Sequence, residues 1–129
     1  MPLKLFIVDN SMLIVVRLIN ILSEIENIKI IGVANNATKA VEYILKSSPD
    51  VVILDIHMPD GNGIDILKQI KKEKPSIKVL MLTNYPESDY KKICMKEGAD
   101  YFLDKSIEFE KVIDICKNLV TQNIKQKSK

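Results

Sequence analysis

An unbroken run of four apolar residues, Val51–Leu54, leads directly into Asp55 and then into a turn marked by Pro59 and Gly61. Three of the four residues are β-branched. An uninterrupted run of this kind is typical of a strand that is covered on both faces, as in the middle of a parallel sheet. The binding crevice of an open α/β sheet lies just beyond the carboxyl ends of its strands. The run therefore predicts that Asp55 stands in such a crevice.

The whole chain alternates between strand-like and helix-like segments. Short apolar runs predict strands, and apolar residues spaced three and four positions apart predict the helices between them. This alternation predicts an α/β fold with a doubly wound, five-stranded parallel sheet and five helices. The strands are predicted at 3–8, 28–34, 51–54, 78–82 and 101–103. The helices are predicted at about 12–25, from 37 to 47, around 64–70, at 87–97 and after Ser106, which can cap the last helix ahead of Glu108 and Glu110.

The length and the charge balance of the chain limit its organisation and its partners. A chain of 129 residues with a net charge of +2 fits one domain. We predict that this domain covers residues 1–122 and that residues 123–129 form a Lys-rich C-terminal tail. Because the charge is close to balanced, we predict no direct binding of nucleic acid and no membrane surface as a partner.

The cysteines and the first residues of the chain bear on its compartment. Cys94 and Cys116 fall among apolar residues of predicted helices, and with the single histidine they form no zinc-binding spacing. Buried, reduced thiols are the favoured interpretation, as in most cytosolic proteins. The sequence shows no signal-peptide pattern and no apolar stretch long enough to span a membrane. These features predict a cytoplasmic location.

Polar side chains follow four of the five predicted strands, namely Asp9, Asp55, Thr83 and Lys105. The carboxyl ends of parallel strands meet at one edge of a sheet, so we expect these side chains to lie together. Two carboxylates attract a hard cation such as Mg²⁺. The cation, the hydroxyl and the ammonium could then hold a phosphoryl group that is carried on a carboxylate. The alternative is that Asp55 only helps to form the turn that follows it.

At these positions the sequence resembles the receiver domain of two-component response regulators, and the resemblance covers nearly the whole chain. It is specific because the motifs occur in order at successive strand ends. It implies a flavodoxin-like receiver fold, as in stand-alone chemotaxis regulators, and a signalling switch rather than an enzyme. At most it implies self-phosphotransfer and self-dephosphorylation. The matching segments are Ile7-Val8-Asp9, Val52-Ile53-Leu54-Asp55, Met58-Pro59 with Gly63, Leu82-Thr83, Gly98-Ala99 and Asp104-Lys105.

The resemblance implies a role for each residue around the acceptor. Asp55 would accept a phosphoryl group from a phosphohistidine on a sensor histidine kinase or a phosphotransfer protein. Thr83 and Lys105 match the hydroxyl and the lysine that contact phosphoryl oxygens in the family. Phe102 matches the aromatic switch residue, which turns inward when the threonine moves toward the phosphoryl group. The alternative for Phe102 is an ordinary core residue of a central strand.

The resemblance also implies a Mg²⁺ site formed by Asp9, Asn10, Asp55 and the backbone carbonyl of His57. The family usually has a second acidic residue where this chain has Asn10. An amide offers a neutral oxygen in place of a charged one, so we expect weaker Mg²⁺ binding than in an ordinary receiver. The alternative is that Asn10 caps a helix and that the protein signals without metal.

The sequence leaves the roles of three further residues open, namely Ser106, His57 and Tyr85. Ser106 follows Lys105 where the family usually has proline, so the sequence leaves that peptide bond cis or trans. His57 is a solvated loop side chain or a modulator of the lifetime of the phosphoryl group. Phosphorylation or metal binding by this lone imidazole is disfavoured. Tyr85, two residues past Thr83, lies at a second position that tunes this lifetime or is a half-exposed loop aromatic.

The predicted function is a stand-alone switch that is controlled by phosphorylation and has no output domain of its own. Phosphorylation would alter a protein-binding surface formed by the fourth helix, the fifth strand and the fifth helix, around Tyr90 and Tyr101. A downstream protein would bind there, and the last strand and helix also allow a homodimer.

Two other classes of function stay open at this point. A phosphorylation-independent interaction module with a receiver fold is favoured by Asn10 and opposed by the intact Asp55, Thr83 and Lys105. A metal-dependent phosphohydrolase would need another general acid or base beside Asp55, and His57 is the only candidate in the sequence.

Overall fold

The computed structural model describes residues 2–84 and 88–127, which form a parallel sheet with helices on both faces. The strands in chain order are β1 (Leu3–Val8), β2 (Ile28–Ala34), β3 (Val51–Leu54), β4 (His57–Met58), β5 (Gly61–Asn62), β6 (Lys78–Thr83) and β7 (Tyr101–Asp104). The main sheet has the order β2-β1-β3-β6-β7, and β4 and β5 form a separate two-stranded hairpin. The predicted doubly wound, five-stranded α/β fold is confirmed. The hairpin is an addition that the sequence pattern did not predict.

Helices cover both faces of the sheet. They are α1 (Met12–Leu22), α2 (Ala37–Ser47), α3 (Gly63–Glu73), α4 (Ser88–Lys96) and α5 (Lys111–Lys127). In the central strand β3, Ile53 packs into the core beneath α1 and α5, whereas Val52 and Leu54 pack into the core beneath α2, α3 and α4. A strand buried on both faces has to be apolar at every position, which explains why the run before Asp55 is unbroken.

Short polar side chains cap the N-terminal ends of three helices. Ser11 Oγ accepts a hydrogen bond from Ile14 N at 3.4 Å and so caps α1. Asn36 and Asn62 cap α2 and α3 in the same way. The alternative that Asn10 caps a helix is therefore wrong, because Ser11 fills that position and Asn10 stands one residue outside it.

The start of α5 differs from the prediction. The helix begins at Lys111, and Ser106 does not cap it. Instead, Asp104 Oδ1 accepts hydrogen bonds from Ser106 N at 2.9 Å and Ser106 Oγ at 2.6 Å. The carbonyl of Asp104 also accepts from Glu108 N at 2.7 Å, so residues 104–108 close a turn of their own before the helix. The Lys105–Ser106 peptide bond, which the sequence left open, is trans.

Other predicted boundaries shift by a few residues. The first helix ends at Leu22 rather than near residue 25. Ile25 N donates to the carbonyl of Leu22 at 3.1 Å in a turn, and the left-handed residue Asn27 (φ 67°) then leads into β2. The last helix continues to Lys127, past the predicted domain boundary at residue 122, and it buries Asn123. The division into a domain and a tail stays a prediction. Tyr85 lies outside the described residues.

The two cysteines are free thiols in the core, as predicted. Burial raises the pKa of Cys94 to about 11 and that of Cys116 to about 12, which leaves both thiols protonated and unreactive at neutral pH. Among the described residues, no helix has the length and apolar character needed to cross a membrane.

Candidate functional site

Four polar side chains lie together at the carboxyl edge of the sheet, namely Asp9, Asp55, Thr83 and Lys105. Backbone hydrogen bonds extend the sheet past the strand ends and fix the positions of these residues. Asp55 N donates to the carbonyl of Val8 at 3.0 Å, and Lys105 N donates to the carbonyl of Thr83 at 2.9 Å. All four side chains are buried. The structure thus brings together the residues that the sequence places at separate strand ends.

The ammonium group of Lys105 bridges the two carboxylates. Its Nζ lies 2.6 Å from Asp9 Oδ2 and 3.0 Å from Asp55 Oδ2, and all three side chains are more than nine-tenths buried. Further hydrogen bonds help to offset the desolvation of buried charges. The second oxygen of Asp9 accepts from Ser11 N at 2.8 Å, and that of Asp55 accepts from Ile56 N at 2.7 Å.

The buried site carries more negative than positive charge. One ammonium faces two carboxylates, and burial raises the pKa of Asp9 above its ordinary value. The hydrogen bond from Lys105 opposes this rise, while the neighbouring Asp55 carboxylate adds to it. A second cation would stabilise the ionised form of both carboxylates.

The donor atoms fit a hydrated Mg²⁺ ion. This ion is usually bound by one or two carboxylates together with waters and phosphate oxygens. Asp9 and Asp55 are close enough to share one ammonium, so they can also share one metal ion. His57 would add its backbone carbonyl, and Asn10, whose side chain is exposed, its amide oxygen. Within residues 2–84 and 88–127, no three His, Cys, Asp or Glu side chains form a metal-binding group.

A tight hairpin connects Asp55 to α3. His57 in β4 pairs with Asn62 in β5, and Gly63 N donates to the carbonyl of Ile56 at 2.6 Å. A Cβ atom at Gly63 would lie only 2.0 Å from the carbonyl oxygen of Asp55. Only glycine fits there without displacing the backbone of Asp55.

The tip of this hairpin is fastened to another helix. Asp60 accepts hydrogen bonds from Ala37 N at 2.7 Å, from Thr38 N at 3.0 Å and from the hydroxyl of Thr38. These bonds lower the pKa of Asp60 to about 2. Sequence analysis identified only a turn at this position, because the partners lie 22 and 23 residues away. The available signal was indirect, since the first amides of any helix need acceptors.

Aromatic side chains near the site come from β4, α4 and β7. The exposed imidazole of His57 meets the ring of Tyr90 edge to face, with the centroids 5.8 Å apart and the planes at 83°. This contact joins the acceptor loop to α4. Phe102 lies in the edge strand β7, not in a central strand, and it is half-buried against the core beneath α2, α3 and α4.

Residues 5–117 match the response regulator receiver domain family. The chain belongs to this family. The receiver domain is 32% identical over 112 residues to the chemotaxis protein CheY of Listeria monocytogenes, an alignment that covers 87% of this chain and 93% of CheY. The resemblance to receiver domains and the fold that it implies are thus confirmed. The protein is a receiver domain of the kind found in two-component response regulators.

Solved structures agree with this assignment. The response regulator domain of Thermotoga maritima CheB is 28% identical with a TM-score of 0.82, and the match covers 95% of the receiver domain and 96% of that chain. A chain of the CheX-CheY-BeF3-Mg²⁺ complex of Borrelia burgdorferi is 29% identical with a TM-score of 0.78, covering 89% and 90%. Several other curated relatives are longer, and the receiver domain spans about half their length.

Proposed function

We propose that this receiver domain accepts a phosphoryl group on Asp55 from the phosphohistidine of a sensor histidine kinase or a phosphotransfer protein. The observation that carries the proposal is the buried Asp55 carboxylate, which shares the ammonium of Lys105 with Asp9 at the carboxyl edge of the sheet. Asp55 is the residue of this group that directly follows the central strand. A free oxygen lone pair of its carboxylate is the nucleophile.

The residues of the site have separate tasks in the transfer. A carboxylate oxygen of Asp55 attacks phosphorus, the bond from phosphorus to the imidazole nitrogen of the donor breaks, and the electron pair returns to that nitrogen. Lys105 leaves its place between the carboxylates to pair with a phosphoryl oxygen. Mg²⁺, when bound, would neutralise further phosphoryl charge. Asp9, Asp55, the His57 carbonyl and Asn10 would hold it; the related CheY of Borrelia burgdorferi has been solved in a complex that contains BeF3 and Mg²⁺.

Thr83 and Phe102 would then move in response to phosphorylation. The Thr83 side chain is fully buried and can donate its hydroxyl to a phosphoryl oxygen after a small movement. That movement opens space into which the half-buried Phe102 ring turns. The surface of α4, β7 and α5, which carries the half-buried Tyr90 and Tyr101, would change with it and bind a downstream protein. A homodimer through β7 and α5 stays a prediction.

The exposed face of α1 supports a docking site for the phosphodonor protein. Met12 and Leu13 are 64% and 72% exposed, and Val16 and Ile19 continue this apolar surface along the helix. Arg17 is the only charged residue of α1. Because α1 begins three residues after Asp9, a helical partner that covers its first turns would bring a phosphohistidine close to Asp55.

Leu13→Lys is expected to slow phosphotransfer from a histidine phosphotransfer domain at least about tenfold, because a lysine in the centre of an apolar interface is strongly unfavourable. The rate with acetyl phosphate should stay unchanged, since a small donor needs no docking surface. Both rates are measured by intact-protein mass spectrometry. Ile124→Lys is the matched control, because it changes an exposed apolar residue near the far end of α5. Equal loss of both rates in Leu13→Lys would contradict the docking site.

Asn10→Asp is expected to tighten Mg²⁺ binding about tenfold. A charged contact then replaces a neutral one, which makes the binding free energy more favourable by ~1.4 kcal/mol. Isothermal titration calorimetry measures the dissociation constant. Asn35→Asp is the control, since it adds the same charge at an exposed position after the edge strand β2. Equal Mg²⁺ affinities in wild type and Asn10→Asp would show that Asn10 does not face the ion.

The proposed function is tested by incubating the protein with acetyl phosphate, with and without Mg²⁺, and following its mass. We expect the gain of one phosphoryl group, faster with Mg²⁺ and lost on treatment with hydroxylamine, which cleaves acyl phosphates. No gain under either condition would favour the second candidate, an interaction module that works without phosphorylation. The exposed Asn10, which leaves the site one carboxylate short of the family pattern, is the observation in favour of that candidate.

A further inference from the structure

The hairpin that carries the metal-binding carbonyl is held at both ends. At its base, Gly63 N donates to the carbonyl of Ile56 at 2.6 Å, and the backbone of Gly63 lies directly against the carbonyl of Asp55. At its tip, Asp60 bonds to the first turn of α2. The two-residue strands between these points pair across the hairpin, with His57 opposite Asn62. Because His57 pairs with Asn62, we expect a displacement of the tip to move the His57 backbone as well.

The first turn of α2 is shaped to receive this carboxylate. Its own cap, Asn36, accepts from Lys39 N at 2.9 Å and leaves the two preceding amides to another acceptor. Asp60 supplies it, with one oxygen on Ala37 N and the other on Thr38 N and the Thr38 hydroxyl. The positive end of the helix dipole favours the ionised carboxylate at this place.

Packing leaves the hairpin tip little freedom to approach α2 in another way. A Cβ atom at Gly61 would lie 2.9 Å from the Cβ atom of Ala37, so the hairpin backbone is already in close contact with the start of the helix. Asp60 itself is exposed, and its position is set by its three hydrogen bonds rather than by burial.

We propose that Asp60 is a positioning residue for the acceptor site, because its carboxylate fastens the Asp55–Gly63 hairpin to α2 and so holds the His57 carbonyl in place for the cation. This inference rests on the proposed function, in which a Mg²⁺ ion at Asp9 and Asp55 assists phosphotransfer. It adds a residue that never contacts the ion or the phosphoryl group. It also makes α2 part of the structure that sets the geometry of the site.

Asp60→Asn tests this role, because an amide oxygen can accept from one of the partners but carries no charge and cannot bridge both amides. We expect the Mg²⁺ dissociation constant to rise about tenfold. This is the lower end of the losses of metal affinity that follow when residues supporting the metal ligands are mutated. In metal-free protein, amide exchange of Gly63 should become several-fold faster. The rate of phosphorylation by acetyl phosphate at saturating Mg²⁺ should change less than twofold, because the reacting groups are intact.

Two further variants complete the experiment. Thr38→Val removes one of the three hydrogen bonds and should give a smaller change in the same direction, while the fold is retained. Asp65→Asn removes the same charge from a neighbouring exposed position in the first turn of α3 and should change neither quantity.

The outcomes separate the two proposals. An unchanged Mg²⁺ affinity or an unchanged Gly63 exchange rate in Asp60→Asn overturns the positioning role. A lower melting temperature without a change in Mg²⁺ affinity also overturns it, since this would be a purely structural effect. If wild type neither binds Mg²⁺ nor gains a phosphoryl group, the proposed function fails, and faster Gly63 exchange in Asp60→Asn would still support the attachment of the hairpin to α2.

Discussion

Asp55→Asn is expected to abolish phosphorylation by acetyl phosphate. The amide is a poor nucleophile and cannot form the acyl phosphate, so no increase in mass should be seen at any Mg²⁺ concentration. The variant should still fold, because Lys105 keeps its 2.6 Å ion pair with Asp9. Mass spectrometry of wild type and variant under identical conditions measures the effect, and a urea titration checks that the variant is folded.

Asp50→Asn is the matched control for this experiment. Asp50 directly precedes β3, the strand that Asp55 follows, and its Oδ2 accepts a hydrogen bond from Lys4 N at 2.8 Å. An asparagine can still accept that bond, so this variant should be phosphorylated like wild type. If Asp55→Asn gains a phosphoryl group at the wild-type rate, another residue is the acceptor and the proposed chemistry is wrong.

Gly63→Ala is expected to destabilise the protein by about 3 kcal/mol, because overpacking against a fixed backbone is among the costly core substitutions. The new methyl group would lie 2.0 Å from the carbonyl oxygen of Asp55 and 3.1 Å from the Cα atom of Ile56. Neither atom can move without displacing the end of β3. We therefore also expect a large loss of phosphorylation in the fraction that remains folded. Urea unfolding gives the change in the free energy of unfolding.

Gly61→Ala, in the same hairpin, provides the comparison for Gly63→Ala. Its methyl group would meet only the Cβ atom of Ala37, at 2.9 Å, so the hairpin tip and the start of α2 have to move apart, but no backbone atom at the end of β3 is displaced. The loss of stability should therefore be clearly smaller than for Gly63→Ala. Equal midpoints of urea unfolding for wild type and Gly63→Ala would show that the backbone at Asp55 adapts and is not held by the glycine.

Much of the fold and the centre of the site could be predicted because they depend on local patterns. The apolar runs that end at Asp9, Asp55 and Thr83 specify strands, and the parallel order of the sheet follows from the helices between them. Once the strands are parallel, their carboxyl ends must meet, and the residues that follow them become neighbours. Lys105 reaches the same place for the same reason.

Other features depended on contacts between distant parts of the chain. Ser106 has the residue type of a helix cap, but its hydroxyl bonds to Asp104 and the helix starts at Lys111. A serine can cap a helix or form a hydrogen bond with a nearby side chain, and its residue type alone does not show which of the two it will do. Phe102 could be assigned to a strand from its neighbours, but its place at the sheet edge followed only from the strand order.

Sequence patterns alone predict the alternation of strands and helices, the candidate acceptor Asp55 and the polar residues at the strand ends, because periodicity and strand polarity act over a few residues. Three features become visible only in the folded domain: Lys105 bridges both carboxylates, Ser11 rather than Asn10 caps α1, and Asp60 fastens the acceptor hairpin to α2. The contacts of Lys105 and Asp60 join atoms from separate segments of the chain. The cap of α1 depends on which of two adjacent side chains reaches the same donor. Such contacts are fixed by the packing of the whole domain.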